Sequence, residues 1–226
     1  MNKNPIITAL ALASAGAPLV AAADTGSRNK LEETVVVASR VEMPLRQVGT
    51  SVSVVTKEDI EQIGFVSLYD VLRTQPGVGV TSQGGLGSIT SLRIRGEEAY
   101  RTRYFLDGID ISDTSSPQAA TRVEHLLSSG IDRVEILRGP QGLMYGADAG
   151  GVVDITTGMP GVTGLGGEAS AEGGRYGTQQ YSGNLYGGNE HVDFSLYATD
   201  LESDGFNAKT TDTELRDDDG YENTTF

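Results

Sequence analysis

The chain has 226 residues, with 17 basic and 31 acidic side chains and a formal net charge of −14. This acidity disfavours a nucleic-acid-binding protein, which would need a basic face for the phosphates. The sequence contains no cysteine, so neither a disulfide framework nor thiolate chemistry is available to it. Its 30 glycines indicate a chain rich in loops and β-structure, in which backbone segments approach closely.

The first 23 residues have the order of a secretory signal peptide. Lys3 supplies the positive charge, residues 6–20 are mostly apolar, and three alanines at 21–23 form the small-residue end. The apolar stretch is shorter than the ~20 residues of a membrane-spanning helix. Removal of this segment would leave 16 Lys and Arg residues against 31 Asp and Glu residues, a net charge of −15. Any later membrane segment would have to consist of strands.

Residues 24–47 are predicted to form a flexible arm that contains one β-branched segment, residues 32–38. This segment could be an ordinary edge strand. An extended segment between flexible flanks also offers unpaired backbone groups, which the sheet of a partner can capture by adding a strand.

The compact part of the chain is predicted to begin with a strand at 51–55 and a helix at 57–63. Thr56 and Asp59 stand at the positions of a capping box for this helix. Ser67 repeats the pattern for a second helix, which must stop near Thr74 because a proline and a glycine follow.

The remaining elements complete a small α+β domain at residues 48–160, with a mixed sheet and short helices. Further strands are predicted at 78–80, 91–95, 103–106, 131–137 and 152–156, and helices at 119–127 and 142–145. A glycine-rich loop, Gly84–Gly87, lacks the lysine that would follow in a phosphate-binding loop.

Residues 161–226 have a different character. Apolar and polar side chains alternate along 191–199, along 180–185 before it and more weakly along 167–172, with a hairpin turn at 187–190. Such segments are typical of a transmembrane β-barrel, although a soluble β-sandwich shows the same alternation. A long acidic loop is predicted at 201–221. Residues 221–225 lack the alternation of a strand, so the aromatic Phe226 is not interpreted as the end of a barrel.

Several motifs, in this order, together resemble the plug of TonB-dependent outer-membrane receptors. The motifs are ETVVVA at 33–38, SLYDVL at 67–72 with QPGV at 75–78, LRIRG at 92–96, LDGI at 106–109, IDRVEILRGP at 131–140 and MYGADAGGVVDI at 144–155. The family usually has one more aliphatic residue before the Gly-Gly pair, and an asparagine where Asp154 stands.

The resemblance implies an α+β plug followed by the first strands of an antiparallel transmembrane barrel of ~22 strands, so the chain is interpreted as a fragment. The TonB box would consist of Glu33, Thr34, Val35, Val36, Val37 and Ala38, and its partner would be the periplasmic domain of TonB. Arg95 and Arg138 resemble the family's arginines that lock the plug to glutamates of the barrel wall, since guanidinium groups pair well with carboxylates.

The acidic loop is similar to the calcium-binding loop of cobalamin receptors. Asn207, Asp217 and Asp219 are the candidate ligands, because Ca²⁺ takes hard oxygen donors. The family has an aspartate where Asn207 stands, and a solvated acidic loop is the alternative. No cofactor is otherwise required.

Catalysis finds little support in the sequence. His125 and His191 have no serine or cysteine arranged with them as in a triad. The expected function is TonB-driven uptake of a scarce ligand, such as an iron–siderophore, haem or cobalamin, across the outer membrane, where lipid would surround the barrel. One alternative is a secreted β-rich binding or adhesion module. A signalling receptor is disfavoured, because only eight residues separate Ala23 from the segment at 32–38.

Overall fold

The described residues contain thirteen strands and two short α-helices. The computed structural model describes residues 34–35, 43–44, 49–115, 118, 120–139, 145, 150–158, 163–189, 191–207 and 219–226. The helices are α1 (Lys57–Ile63) and α2 (Leu68–Leu72). The strands are β1 (Thr34–Val35), β2 (Met43–Pro44), β3 (Ser51–Thr56), β4 (Val78–Ser82), β5 (Thr90–Ile94), β6 (Thr102–Leu106), β7 (Ile109–Asp110), β8 (Ile131–Arg138), β9 (Gly151–Thr157), β10 (Gly164–Gly173), β11 (Gln179–Gly188), β12 (Asp193–Ser203) and β13 (Tyr221–Thr225).

Helix α1 begins at the predicted capping box. The Thr56 hydroxyl accepts a hydrogen bond from the Asp59 amide, and the Asp59 carboxylate accepts one from the Thr56 amide. These bonds satisfy amide groups that the first turn of a helix leaves without partners. In the described part of the chain, no helix is both long enough and apolar enough to cross a membrane.

The predicted cap of α2 is wrong. Ser67 precedes the helix but makes no side-chain bond to its amides, and its hydroxyl donates instead to the Asp70 carboxylate at 2.7 Å. The helix ends at Leu72, close to the expected stop. Gly77 then has a φ of 72°, a conformation that favours glycine, where the chain turns into β4.

The plug is built on a mixed sheet in the order β3-β8-β9-β6-β7. Strands β6 and β9 are parallel, whereas β3–β8, β8–β9 and β6–β7 are antiparallel. Strands β4 and β5 form a separate hairpin. The core contains side chains from these strands and from both helices; its most buried members include Leu68, Val71, Ile94, Val134, Ile136 and Val153. This architecture confirms the expected α+β plug with short helices.

The helix predicted at 119–127 is wrong. Of residues 120–127, which the structure describes, Val123–His125 alone are helical, as one 3-10 turn, and Leu126 is already extended. The following residues pair with the segment before α2: the Leu68 amide donates to the Leu126 carbonyl at 2.9 Å, and Ser67 forms a bridge with Leu127. The apolar spacing indicated a helix, but the segment is extended because this tertiary pairing overrides its local propensity. Of the short helix predicted at 142–145, only residue 145 lies within the described part, and it is in a turn.

The second sheet is antiparallel, in the order β10-β11-β12-β13. It has four strands where three were expected, because Tyr221–Thr225 pairs with residues 199–203 of β12. The prediction that 221–225 is not a strand is therefore wrong. Its sequence hides the strand, since Glu222 and Thr224 make one face polar and Tyr221 is the only large ring on the other. The acidic loop is correspondingly shorter than expected, because β12 continues to Ser203.

The first hairpin of this sheet also differs in detail. Strand β11 continues through Gly188, so the turn lies at residues 189–192 and not at 187–190. The Asn189 side chain accepts hydrogen bonds from the amides of His191 and Val192 at 2.9 and 3.1 Å. An asparagine that bonds the backbone two residues ahead is a common way to form such a turn.

The predicted alternation in the second sheet is confirmed. Val192, Phe194 and Leu196 are 64%, 46% and 64% exposed and lie on the face turned away from the plug. Tyr197 and Thr199, on the opposite face, are covered. A strand that exposes apolar residues on one face and covers polar residues on the other is the reverse of a soluble sandwich strand, and it suits a barrel wall around a plug.

Gly151 tests how tightly the plug sheet is packed. A Cβ at this position would lie 2.6 Å from Cδ1 of Ile94 and 3.1 Å from the Leu137 carbonyl oxygen. We expect Gly151→Ala to lower the free energy of unfolding of the plug by about 1–3 kcal/mol, because the core must shift to admit the methyl group. Urea titration of the full-length protein with pulse proteolysis measures this change.

Gly79→Ala is the matched control. Gly79 is also a strand residue of the plug, but the nearest atom to its Cβ would be the Arg93 carbonyl oxygen at 4.0 Å. We expect this variant to unfold at a urea concentration close to that of the wild type. Equal effects of the two substitutions would contradict the packing argument.

Candidate functional site

The predicted TonB box is only partly described. Thr34 and Val35 form β1 and pair antiparallel with Pro44 and Met43 of β2. The remaining box residues, Glu33, Val36, Val37 and Ala38, lie outside the described residues, so the interpretation of the segment as a box remains a prediction. The two-residue strand shows that this part of the arm can adopt the extended conformation that strand addition needs.

The two arginines of the predicted lock lie beside each other at the start of β4. A Cβ at Gly77 would be 3.7 Å from Cγ of Arg95 and 3.8 Å from Cδ of Arg138. Arg95 has a φ of 53°, which is uncommon for a residue with a side chain. Its amide donates to the Gly77 carbonyl at 2.7 Å, so the turn after β5 is tied to the turn before β4.

Arg138 is held inside the plug. Its side chain is 6% exposed, Nε donates to the Pro76 carbonyl at 2.6 Å, and Nη2 donates to the Ser53 hydroxyl at 2.7 Å. Burial, and then the positive charge of Arg95, lower the pKa of the Arg138 guanidinium. No ion pair joins either arginine to a carboxylate of the described residues. Two adjacent cations that no described carboxylate neutralises favour an acidic partner.

A row of acidic side chains crosses the other face of the plug sheet. Glu135 and Asp154 are directly opposite on β8 and β9. Glu135 is 4% exposed and pairs with Arg133 at 2.6 Å. Burial, followed by the charges of Glu135 and Asp107, raises the pKa of Asp154 to about 6. At Asp154, where the family usually has an uncharged asparagine, this chain has a carboxyl group whose pKa is raised to about 6.

The plug touches the barrel strands through hydrogen bonds that converge on one serine. Ser129 of the plug accepts hydrogen bonds from Nε2 of Gln180 on β11 at 2.8 Å and from the hydroxyl of Tyr197 on β12 at 2.5 Å. Lys57 of α1 pairs with Glu168 of β10. Tyr197 lies against Gly130, where a Cβ would be 2.6 Å from its ring.

These contacts border a cavity of about 440 Å³ between α1, residues 128–132 and strands β10–β12, which polar and apolar side chains line together. Oε1 of Gln180 is buried at its edge and has no hydrogen-bond partner among the described residues. Because the amide nitrogen of Gln180 is directed at Ser129, its oxygen is the acceptor left over. A buried acceptor of this kind is normally satisfied by ordered water.

The acidic loop begins and ends on neighbouring backbone segments. Asn207 follows β12, and Asp219 precedes β13. A Cβ at Gly205 would overlap the Asp219 carbonyl, so the two stems are in close contact. Asp217 lies outside the described residues. Among those that are described, no group of three or more His, Asp or Glu side chains could hold a metal ion. Calcium binding therefore remains a prediction.

Sequence reasoning did not identify Ser129, Gln180, Tyr197 or Tyr221 as contact residues. Ser129 meets partners 51 and 68 positions later in the chain, and no local pattern indicates such a pairing. The adjacent glycines were the only available signal, because they permit close approach of another backbone or side chain. Of the two histidines, His125 stacks on Tyr221, with ring centroids 6.3 Å apart, and His191 is exposed in a turn.

Asp154 should make the stability of the plug depend on pH. Its pKa in the folded protein, about 6, is above the ordinary aspartate value of 3.8, so the folded state holds the proton more tightly. The associated stability is complete below pH ~3.8 and is lost as the pH rises through ~6. We expect Asp154→Asn to stabilise the plug at pH 7.5 by about 1 kcal/mol, with a smaller effect at pH 4.5.

Hydrogen exchange of β8 and β9 in the full-length protein, compared between variant and wild type at each pH, measures this difference. Asp110→Asn is the control, because Asp110 lies at the exposed end of the sheet, where it bonds Ser112 and makes a surface pair with Arg103 at 3.7 Å. A ratio of exchange rates that does not change between pH 4.5 and 7.5 would contradict the expectation.

Comparison with known proteins gives one consistent assignment. Residues 44–153 match the TonB-dependent Receptor Plug Domain. The vitamin B12 transporter BtuB of Photobacterium profundum is 37% identical over 220 residues, which cover 94% of this chain and 35% of the transporter. The chain thus spans about a third of that relative.

Solved structures agree with the fold. The pyoverdine receptor FpvA of Pseudomonas aeruginosa superimposes with a TM-score of 0.65 at 22% identity, covering 76% of this chain and 25% of the receptor. The ferric enterobactin receptor PfeA of the same organism gives a TM-score of 0.55 at 26% identity, covering 70% of this chain and 25% of PfeA. These relatives are named as transporters and receptors, not as enzymes. The chain belongs to the TonB-dependent receptors of the outer membrane, of which it contains the plug domain and the first strands of the barrel.

Proposed function

We propose that the full-length protein is a transporter that takes up vitamin B12 across the outer membrane, driven by TonB. The observation that carries this proposal is the extent of the match to the vitamin B12 transporter of Photobacterium profundum. It covers 94% of the chain and therefore includes the barrel strands as well as the plug. The likeness to the ferric enterobactin receptor, at 26% identity, supports a siderophore as the second candidate ligand.

The exposed apolar side chains of the barrel strands support a membrane location for this region. Leu165, Val192 and Leu196 are 76%, 64% and 64% exposed. Lipid would cover these side chains in a barrel, whereas a secreted binding module would expose them to water, where apolar patches promote association. The adhesion alternative is therefore the weaker one.

The box proposal gives a test of energy coupling. If TonB adds a strand to residues 33–38, Val35→Pro removes an amide donor and should abolish uptake, because proline cannot complete the backbone pairing. Binding of vitamin B12 should be unchanged, since the box is distant in sequence from the loops that connect the barrel strands. Uptake and binding of radiolabelled vitamin B12 by cells that produce the full-length protein measure both.

Val41→Pro is the matched control, because it makes the same change in the linker beyond the box. We expect it to support uptake like the wild type. Loss of uptake in both variants would count against residues 33–38 as the TonB contact. If the wild-type protein imports ferric enterobactin but not vitamin B12, the siderophore is the ligand and the vitamin B12 proposal is wrong.

The arginine pair supports a second element of the proposal. Arg95 and Arg138 would lock the resting plug to acidic residues of the barrel wall, because the two cations are adjacent and lack carboxylate partners among the described residues. Arg138 is fixed by Pro76 and Ser53 and would present its remaining donors in one direction.

We expect Arg95→Gln in the full-length protein to loosen the resting plug and make cells more sensitive to vancomycin, which is too large for ordinary porins. Arg93→Gln is the control, because the Arg93 side chain is 52% exposed and its pair with Glu98, at 3.7 Å, lies at the surface. The measurement is the inhibitory concentration of vancomycin. Equal sensitivity of the two variants would contradict a lock at Arg95.

A further inference from the structure

The glycine-rich loop of the plug, Gly84–Gly87, connects β4 and β5 and has no role in the function described so far. Its backbone is closed by a hydrogen bond from the Gln83 amide to the Ile89 carbonyl at 3.1 Å and by one from Ser88 to Gly85 at 3.2 Å. The sequence excludes a phosphate-binding role, since no lysine follows the glycines. The structure instead places two aromatic side chains of the barrel on this loop.

The first of these is Tyr221 at the start of β13. A Cβ at Gly87 would overlap the ring of Tyr221, so the ring lies directly on the backbone of the loop. The position of the ring is fixed from two sides. Nδ2 of Asn223 donates to the Tyr221 hydroxyl at 2.9 Å, and the ring stacks on His125 with an interplanar angle of 13°.

The second is Phe206, which follows β12. A Cβ at Gly85 would lie 3.4 Å from Cε1 of Phe206. Phe206 is supported by the ring of Tyr176, at a centroid distance of 5.2 Å, from the turn between β10 and β11. Phe206 and Tyr221 therefore contact the same short loop from opposite stems of the acidic loop.

The location of this contact follows from the antiparallel strand order. Connections alternate between the two ends of an antiparallel sheet, so the turn at 174–178 and the acidic loop lie at one end, opposite the turn at 189–192. At this end Ile89, Tyr176 and Phe206 are 54%, 57% and 40% exposed. Exposed apolar and aromatic side chains in one region suit contact with a large, partly apolar ligand.

We propose that Phe206 and Tyr221 are positioning residues, which clamp the glycine loop of the plug to the stems of the acidic loop and so hold it in place for ligand binding. The clamp depends on the absence of side chains at Gly85 and Gly87. The ligand-binding part of the proposal rests on the proposed function, whereas the clamp itself does not.

The clamp is tested first without ligand, by hydrogen exchange of residues 83–89 in the full-length protein. Tyr221→Ala should increase their exchange about tenfold, because it removes an aromatic contact and exposes the loop. Tyr221→Phe, which keeps the ring, should increase it much less. Tyr181→Ala is the control, because Tyr181 is 45% exposed on the outer face of β11. Equal exchange in Tyr221→Ala and Tyr181→Ala would overturn the clamp.

A double-mutant cycle tests the direct contact with Gly87. Gly87→Ala should increase exchange about tenfold in the wild type but much less in the Tyr221→Ala background, where the colliding ring is gone. Gly87 has a φ of +74°, so backbone strain contributes in both backgrounds. Gly108→Ala measures the effect of backbone strain without a collision, since Gly108 has a φ of +80° and an added Cβ there would meet open space. Equal effects of Gly87→Ala in the two backgrounds would exclude the contact.

The role in binding is tested with radiolabelled vitamin B12. Tyr221→Ala should raise Kd about tenfold and leave the maximal uptake rate at saturating vitamin B12 unchanged, as expected of a residue that positions a binding loop. An unchanged Kd together with increased loop exchange would overturn the positioning role. A wild-type protein that does not bind vitamin B12 would overturn the proposed ligand, while the exchange measurements would still decide the clamp.

Discussion

The plug and the barrel strands meet where glycines of the plug lie under side chains of the wall. The Tyr221 ring covers Gly87, and the Tyr197 ring covers Gly130. Ser195 approaches Gly158 closely, since a Cβ added at Gly158 would lie 3.1 Å from the Cβ of Ser195. Side chains at these glycines would force the wall away from the plug. The hydrogen bonds to Ser129, the pair between Lys57 and Glu168, and the clamp on the glycine loop all require this close approach.

Hydrogen bonds, an ion pair and aromatic rings that lie on plug glycines join the plug to the wall, and none of these contacts is a continuous apolar core. Polar contacts in a hydrated space can be exchanged for water at little net cost, because a typical hydrogen bond contributes only about 0.5–1.5 kcal/mol. The core of the plug is different. Leu68, Val71 and Ile136 are almost completely buried among other apolar residues. A partner that pulls on the arm would therefore separate the plug from the wall more easily than it would unfold the sheet.

The plug holds two groups of like charges, one positive and one negative. Arg95 and Arg138 place two cations together at one turn, and Asp154 and Glu135 place two acids together on the sheet, with Arg133 beside Glu135. Neither arrangement is the one that the isolated plug would favour, because like charges at short range are costly. The arginines are consistent with a partner in the rest of the barrel. The raised pKa of Asp154, about 6, means that protonation of this carboxyl relieves the repulsion below about pH 6.

The sequence by itself determined the plug strands, the capped helix α1 and the inward and outward faces of β12, because these depend on local spacing and on alternation with period two. Ordered motifs also identified the family. Only the tertiary structure decided the fate of residues 119–127 and 221–225, since one segment is extended by pairing with the residues before α2 and the other by pairing with β12. The contacts of Ser129 and Tyr221 belong to the same class. They join residues far apart in the chain, and no local pattern indicates which residues will meet.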